Sequence, residues 1–265
     1  MPLEYVQFGT LYLDDIPAAL GIKVFPNQAF RLGDTCSTCA IPWVFDGKKY
    51  VAIRNVCNNV SWEDLVSLKR GFAVSPTPTT LRIVQIDGKA YNSRLIGRET
   101  KDGVVDEWKE LITERERTSI PTPTAEDSWH CNGAQFWTGI AAGGQKLNKV
   151  VLGGKTEYDI TTWPQDTRSS GLGYRPVLEP LPPLDFETAE KRKCYRIYGP
   201  NEFVEGWLQG VNDYDVIIKP RFGRGPRFDC TWAKETDKDK VVIDRSAIIW
   251  AQHVDARFRI PQKNG

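Results

Sequence analysis

Gly173-Tyr174-Arg175-Pro176-Val177-Leu178-Glu179, followed at once by Pro180-Leu181-Pro182-Pro183-Leu184, divides this chain in two. The first seven residues have the pattern of a strand that closes a domain. Prolines at the density seen after them favour an extended, polyproline-like linker. A first domain is therefore expected over 31–179, a proline-rich linker over 180–193 and a small second unit over 194–258. Residues 1–30 are expected as an N-terminal arm that packs on its own core or on a neighbouring subunit, and 259–265 as a frayed tail.

Upstream of the boundary, strand-like runs alternate with turns. Tyr50–Val56 is one expected strand and Leu81–Ile86 another. Asp87-Gly88 after the second signals a hairpin, with Tyr91–Ile96 returning. Ser61 can cap a short helix through Leu65, with Glu63 and Asp64 at the positive end of its dipole. Val104, Trp108, Leu111 and Ile112 make one apolar stripe, which predicts a helix from Val104 to Arg115. Glu107, Lys109, Glu110 and Glu114 would then face away from the core. From Trp129 to Trp163, glycine, tryptophan, asparagine and threonine suggest loops with short strands on a partner-facing surface.

Downstream, Cys194–Tyr198, Phe203–Val211, Asp215–Lys219, Arg227–Trp232, Lys240–Ile243 and Ala247–Trp250 are expected strands. Their short polar connections suit a small barrel. The fold class expected for the whole is α+β, β-rich.

Composition narrows the function. Hydrophobic residues make up 40% and charged residues 26% of the 265 residues, which excludes a disordered, fibrous or membrane-embedded chain. Lys and Arg number 35 against 34 Asp and Glu, so no global charge draws the protein to nucleic acid or membrane. The opening residues Met1–Tyr5 carry no basic or apolar signal region, and the expectation is synthesis in a reducing cytoplasm. Six cysteines are sparse for a disulfide scaffold, and free thiols are the plainest expectation.

Five fragments together resemble a known domain: Arg31-Leu32-Gly33-Asp34, Ile86-Asp87-Gly88-Lys89, Arg94-Leu95, Asp106-Glu107-Trp108 and the closing Gly173–Glu179 motif. In this order they resemble a domain of unknown function common in bacteriophage virion proteins and in surface proteins of Gram-positive bacteria. The family normally has Trp where Tyr174 stands. The resemblance implies a C-type lectin-like fold, related to that of sulfatase-modifying factors, over the first domain. Sulfatase-modifying activity is not implied, because only fold kinship is visible. The tail, through Glu205–Gly210, Tyr214–Lys219 and Ile243–Ile249, is similar to Sm and bacterial RNA-chaperone barrels. That similarity implies a small Sm/SH3-like β-barrel, a type that often forms rings. The family's RNA-binding residues have no counterparts here.

Candidate sites are few. Cys36 and Cys39 have a spacing that could share zinc, but a closed site needs two more ligands from Cys57, His130 and Cys131. Free thiols and a disulfide or redox pair are the alternatives. Otherwise no cofactor is expected. Arg221, Arg224 and Arg227 stand with Phe222 and Phe228 in a basic Gly- and Pro-rich loop. That loop suits a protein partner, a phosphate backbone, or plain solvation. Most tryptophans are expected in the core; Trp137 and Trp163, with the most polar surroundings, are candidates for a sugar platform with a core role as the alternative. His130 and His253, the only histidines, have no nucleophile motif beside them and are expected to be structural. Asp237 and Asp239 belong to a solvated hairpin, and Gly143-Gly144 and Gly153-Gly154 to tight turns.

The expected function is a non-catalytic bacteriophage virion structural protein of tail, baseplate or capsid decoration, assembled in the host cytoplasm. Its expected partners are further copies of itself, other virion proteins and a host-surface glycan. Two alternatives stay open: an oligomeric intracellular inhibitor or nucleotide sponge, and an RNA-binding protein acting through the basic loop.

Overall fold

The computed structural model describes residues 3–66, 82–100, 103–105, 107–118, 134–142, 147–156, 159–199, 203–221, 231–236 and 240–254. The chain is β-rich and partly barrel-like. It divides into two compact units, Met1–Leu181 and Pro182–Gly265, each with its own core.

In the first unit, β1 (Glu4–Leu13), β2 (Ile16–Pro17), β3 (Ile22–Lys23), β4 (Phe30–Gly33), β5 (Ala40–Phe45), β6 (Tyr50–Ala52) and β7 (Cys57–Asn58) precede the short helix α1 (Trp62–Val66). Then come β8 (Ile83–Ile86), β9 (Lys89–Leu95), β10 (Arg98–Thr100), β11 (Gly103–Val105) and α2 (Glu107–Thr118). β12 (Gln135–Ala141), β13 (Asn148–Leu152), β14 (Ile160–Pro164), β15 (Leu172–Tyr174) and β16 (Pro176–Pro180) complete the unit. One sheet runs β2-β1-β5-β6-β16-β9-β8, with β4 also on β1, and a second runs β14-β13-β12-β15-β7-β3.

The central strands β5, β6 and β16 of the first sheet send successive side chains to opposite faces, and both faces are covered there. Trp43, Ala52 and Leu178 enter the larger core, where Trp137 and Tyr174 of the second sheet also pack. Their neighbours Val44, Val51 and Val177 turn the other way and pack with Trp108 and Leu111 of α2. The N-terminal residues pack on the chain's own core, the first of the two expected placements, and they do so as a paired strand. β1 pairs with β2, β4 and β5, and Leu11 is fully buried.

Local chemistry explains most elements. Asp87 and Gly88, at φ 50° and 73°, make the tight turn between β8 and β9. Ser61 Oγ accepts from Asp64 N at 3.1 Å and Asp64 Oδ2 from Ser61 N at 2.8 Å, a reciprocal cap on α1. α2 begins at Glu107 rather than Val104, because Val104 pairs with Glu99 in the β10–β11 hairpin. The stretch expected as loops with short strands, Trp129 to Trp163, contains the regular meander β12-β13-β14. β-branched residues at Val150, Val151, Ile160, Thr161 and Thr162 outweigh its glycines. Gly153 and Gly154, at φ 83° and 147°, lie in a turn, while Gly143 and Gly144 fall outside the described residues.

The second unit holds β17 (Cys194–Tyr198), β18 (Phe203–Val211), β19 (Asp215–Pro220), β20 (Ala233–Thr236), β21 (Lys240–Asp244) and β22 (Trp250–His253). They form one antiparallel sheet ordered β20-β21-β19-β18-β17-β22. A bulge between Leu208 and Gly210 bends β18. Ile197, Val204, Leu208, Val216, Ile218, Val241 and Ile243 fill the core. The last strand starts later than expected. Asp244 caps a single 3-10 turn, Arg245–Ala247, by accepting from Ser246 N at 2.9 Å and Ser246 Oγ at 2.7 Å.

The break between the two units falls inside the proline stretch, as expected. From Pro182 onward the stretch belongs to the second unit. Phe186 is buried in that core, Trp250 Nε1 donates to Pro182 O at 2.8 Å, and Arg245 pairs with Glu187 at 3.0 Å. Leu181 instead donates its N–H to Ala90 O at 3.0 Å in the first unit. The tail 259–265 and the expected strand's start at Arg227 lie outside the described residues.

Candidate functional site

The five fragments that carried the resemblance meet in two joints. At the first, Asp87 Oδ1 and Oδ2 accept from Thr35 N at 2.8 Å and Thr35 Oγ1 at 2.5 Å, while Asp34 Oδ1 accepts from Asp87 N at 2.6 Å. The β8–β9 turn is thereby tied to the loop between β4 and β5. Thr35 first, with its hydroxyl and then its N–H, holds the Asp87 carboxyl below the usual carboxylate range.

The second joint is an ion-pair knot. Arg94 on β9 is 2% exposed and forks onto Glu107 at the start of α2, with both contacts at 2.7 Å. Its Nε also meets Glu179 on β16 at 2.8 Å. Lys49 Nζ lies 3.4 Å from Glu107, and Gly97 N donates to the same carboxylate at 3.0 Å. Burial alone would raise the Glu107 carboxyl. The bonds and charge of Arg94, then Lys49, outweigh it and hold the group low. Glu107 therefore points into the protein, opposite to its expected outward face. Beside the knot, Arg175 is 1% exposed and sits over the rings of Trp108 and Phe136 at 4.8 and 4.5 Å. These groups join strands to a helix.

The individually expected site residues scatter. Trp137 is fully buried and donates its Nε1–H to Val60 O at 2.8 Å, so it is a core residue and not a sugar platform. Its place on β12, between β13 and β15, turns its ring into the core. Trp163 is 40% exposed, with Nε1 donating to Gln135 Oε1 at 3.1 Å. Arg221 is engaged by the Glu205 carboxylate, which also takes Arg196 at 2.7 Å. A guanidinium so held is a structural cation rather than a loose phosphate contact. Arg224 and Arg227 lie outside the described residues. His253 packs its ring edge-on to Tyr195, centroids 5.7 Å apart, while His130 lies outside the described residues.

Cys36 and Cys39 occupy one half-buried turn as free thiols. Among the described residues no third Cys, His, Asp or Glu joins them in a metal-binding group. Cys57, named as a further zinc ligand, is fully buried in the large core. Cys131 lies outside the described residues, as do Cys230, Asp237 and Asp239.

What the structure adds is an apolar sheet edge. β14 ends the second sheet, and its outer side has no strand partner among the described residues. Ile160 at the start of the strand is 66% exposed, Trp163 three residues on is 40% exposed, and Leu147 at the turn beside the Pro164 end is 68% exposed. An uncovered strand with large apolar side chains is a template for pairing with another chain. Only Pro164 blunts it. The sequence carried a signal for this edge, because Ile160-Thr161-Thr162-Trp163 is a β-favouring run closed by proline.

Scans against protein-family models, curated proteins and solved structures found no match to this chain.

Proposed function

We propose that this chain is a non-catalytic virion structural protein that assembles through the β14 edge. The observation that carries the proposal is the exposed apolar edge strand itself, Ile160–Pro164 with Leu147 beside it. Strand addition to such an edge supplies main-chain hydrogen bonds, and its side chains supply specificity. The partners are further copies of the chain and other virion proteins, brought together in the host cytoplasm. Trp163, the only exposed tryptophan among the described residues, offers the same edge a ring against which a host-surface glycan can stack.

The finer fold assignment belongs to this proposal. A C-type lectin-like first unit is supported by the joining of the five resembling fragments and by β1 and β16 lying in one sheet. An Sm/SH3-like second unit is supported by the bent β18 and by the 3-10 turn before the last strand.

Two measurements test the function. Quantitative mass spectrometry of purified particles is expected to find this chain in fixed ratio to the other virion proteins. Particles that never contain it end the proposal. Light scattering is expected to find a salt-independent oligomer that Ile160→Lys with Leu147→Lys dissolves, since charge on an edge blocks pairing. Both positions are exposed, so the folding cost is expected to stay within about 0.5 kcal/mol each. An oligomer unchanged by the pair places assembly elsewhere and removes β14 from the proposal.

A further inference from the structure

We propose that Cys36 and Cys39 form a reversible dithiol–disulfide couple that exchanges with external disulfides. Cys39 N donates to Cys36 O at 2.9 Å, which closes a four-residue turn. Such a turn keeps its end Cα atoms within about 7 Å, the span that a disulfide bridges. The Thr38 hydroxyl lies 3.4 Å from Cys36 Sγ and 3.7 Å from Cys39 Sγ, so both sulfurs gather about one group.

The turn is anchored on both sides. Thr10 Oγ1 accepts from Cys36 N at 2.7 Å, and Asp87 holds Thr35 immediately before it. Ala40 immediately after it opens β5 and pairs with Thr10. Bridging the sulfurs therefore asks for movement inside the turn and little beyond it.

The two thiols are also set apart from the others described. Cys36 and Cys39 are half-buried and reachable, whereas Cys57 and Cys194 are buried, and burial pushes both of those thiols up. Thr38, through its hydroxyl and then its N–H, lowers Cys36 below its ordinary value, and Cys39 adds to this through its thiol and N–H. Cys36 is thus the attacking sulfur and Cys39 the resolving one.

The exchange balances without a further co-reactant. Cys36 thiolate attacks one sulfur of an external disulfide, whose S–S bond breaks and releases one thiolate that takes a proton from water. Cys39 then loses its proton to solvent and attacks the Cys36 sulfur of the mixed disulfide. The second external thiolate leaves and takes up a proton from solvent, matching the one that Cys39 lost. The protein dithiol is oxidised to a disulfide, and the external disulfide is reduced to two thiols. A bridge across so short an exposed loop belongs to the labile class that reducing thiols reopen.

The test uses the full chain, glutathione buffers of varied ratio, acid quenching and peptide mass mapping. Oxidised glutathione is expected to give a Cys36–Cys39 bridge that excess reduced glutathione reverses. Cys39→Ser is expected to accumulate a glutathione adduct on Cys36, and Cys36→Ser to form its adduct roughly tenfold more slowly. Thr38→Val is expected to slow bridge formation at neutral pH by about threefold or more. Three results would each overturn the proposal. They are a wild-type chain that ends as glutathione adducts with no internal bridge, a bridge mapping to Cys131 or Cys230, and equal adduct rates in the two serine variants.

Discussion

Glu107→Ala is expected to destabilise the first unit by about 3–5 kcal/mol, because it leaves the Arg94 guanidinium buried without its forked partner. Arg94 is 2% exposed, and both of its terminal nitrogens reach Glu107 at 2.7 Å. After the change, the guanidinium keeps Glu179 at 2.8 Å and the Leu95 carbonyl at 3.1 Å, which do not replace a bidentate carboxylate. Gly97 N loses its acceptor as well. For a unit of this size the drop corresponds to roughly 10 °C in Tm. The companion variant Arg94→Met with Glu107→Leu removes both charges and is expected to cost less than Glu107→Ala alone, since a buried pair replaced by apolar residues is often nearly neutral. Denaturant melts of the wild type, the single variants Arg94→Met and Glu107→Leu and their double variant give the coupling directly. A Glu107→Ala loss under about 1 kcal/mol would mean that the knot is solvated and contributes little.

The same knot sets an acid limit. Glu107 is held below its ordinary value of 4.5, so the folded state binds that proton more weakly than the unfolded chain does. Its contribution is complete above about pH 4.5 and drains away as pH falls through the lower folded value. Glu107→Gln cannot titrate. Its stability is expected to fall less steeply with acid than the wild type's, so the gap between the two curves should narrow below pH 4.5.

Which parts of this molecule could be read from sequence follows from the range of the interactions. Asp87-Gly88 and Ser61–Asp64 are decided by neighbours a few residues apart, and both were legible. Cys194–Tyr198 and Phe203–Val211 are strands with the expected bounds, because their alternation and polar ends are local. Glu107 was misread as a solvent-facing helix residue, because its partner Arg94 lies thirteen residues back on a strand. Trp137 was misread because glycine and asparagine in sequence do not tell which strands flank it in space. The proline stretch marks the unit break because proline shapes the local chain, but its contacts with Trp250 and Arg245, more than fifty residues later, have no local signal. The run Ile160-Thr161-Thr162-Trp163 signals the strand β14 and the proline after it suits an edge, but the uncovered apolar face has the same long-range origin. Exposure of Ile160 depends on strand order, which no local pattern carries.

Gly173→Ala is the other change with a large expected effect, and it separates conformation from space. Gly173 sits in β15 between β12 and β7, paired with Phe136 on one side and Asn58 on the other. A Cβ there would lie 2.4 Å from the Cys57 carbonyl oxygen, 2.2 Å from Asn58 Oδ1 and 2.5 Å from Asn55 Nδ2. The carbonyl belongs to a paired strand and cannot swing aside as a flexible side chain could. The two asparagines are committed too. Asn55 Nδ2 donates to Asn58 Oδ1 and to Gln135 O, both at 2.9 Å, and Asn58 Nδ2 donates to Gly21 O at 3.1 Å. A methyl group must therefore push two strands apart or break this buried network. Overpacking costs about 1–3 kcal/mol and each orphaned buried group about as much again, so a loss of roughly 3 kcal/mol or more is expected. Gly88→Ala is the control. A Cβ there meets nothing within 4 Å, but φ of 73° strains it, and a loss of only about 1–2 kcal/mol is expected. If the two variants lose equal stability in denaturant melts, the sheet at Gly173 is open enough to admit a methyl group. The requirement for glycine in the closing motif would then lie elsewhere than in this close approach.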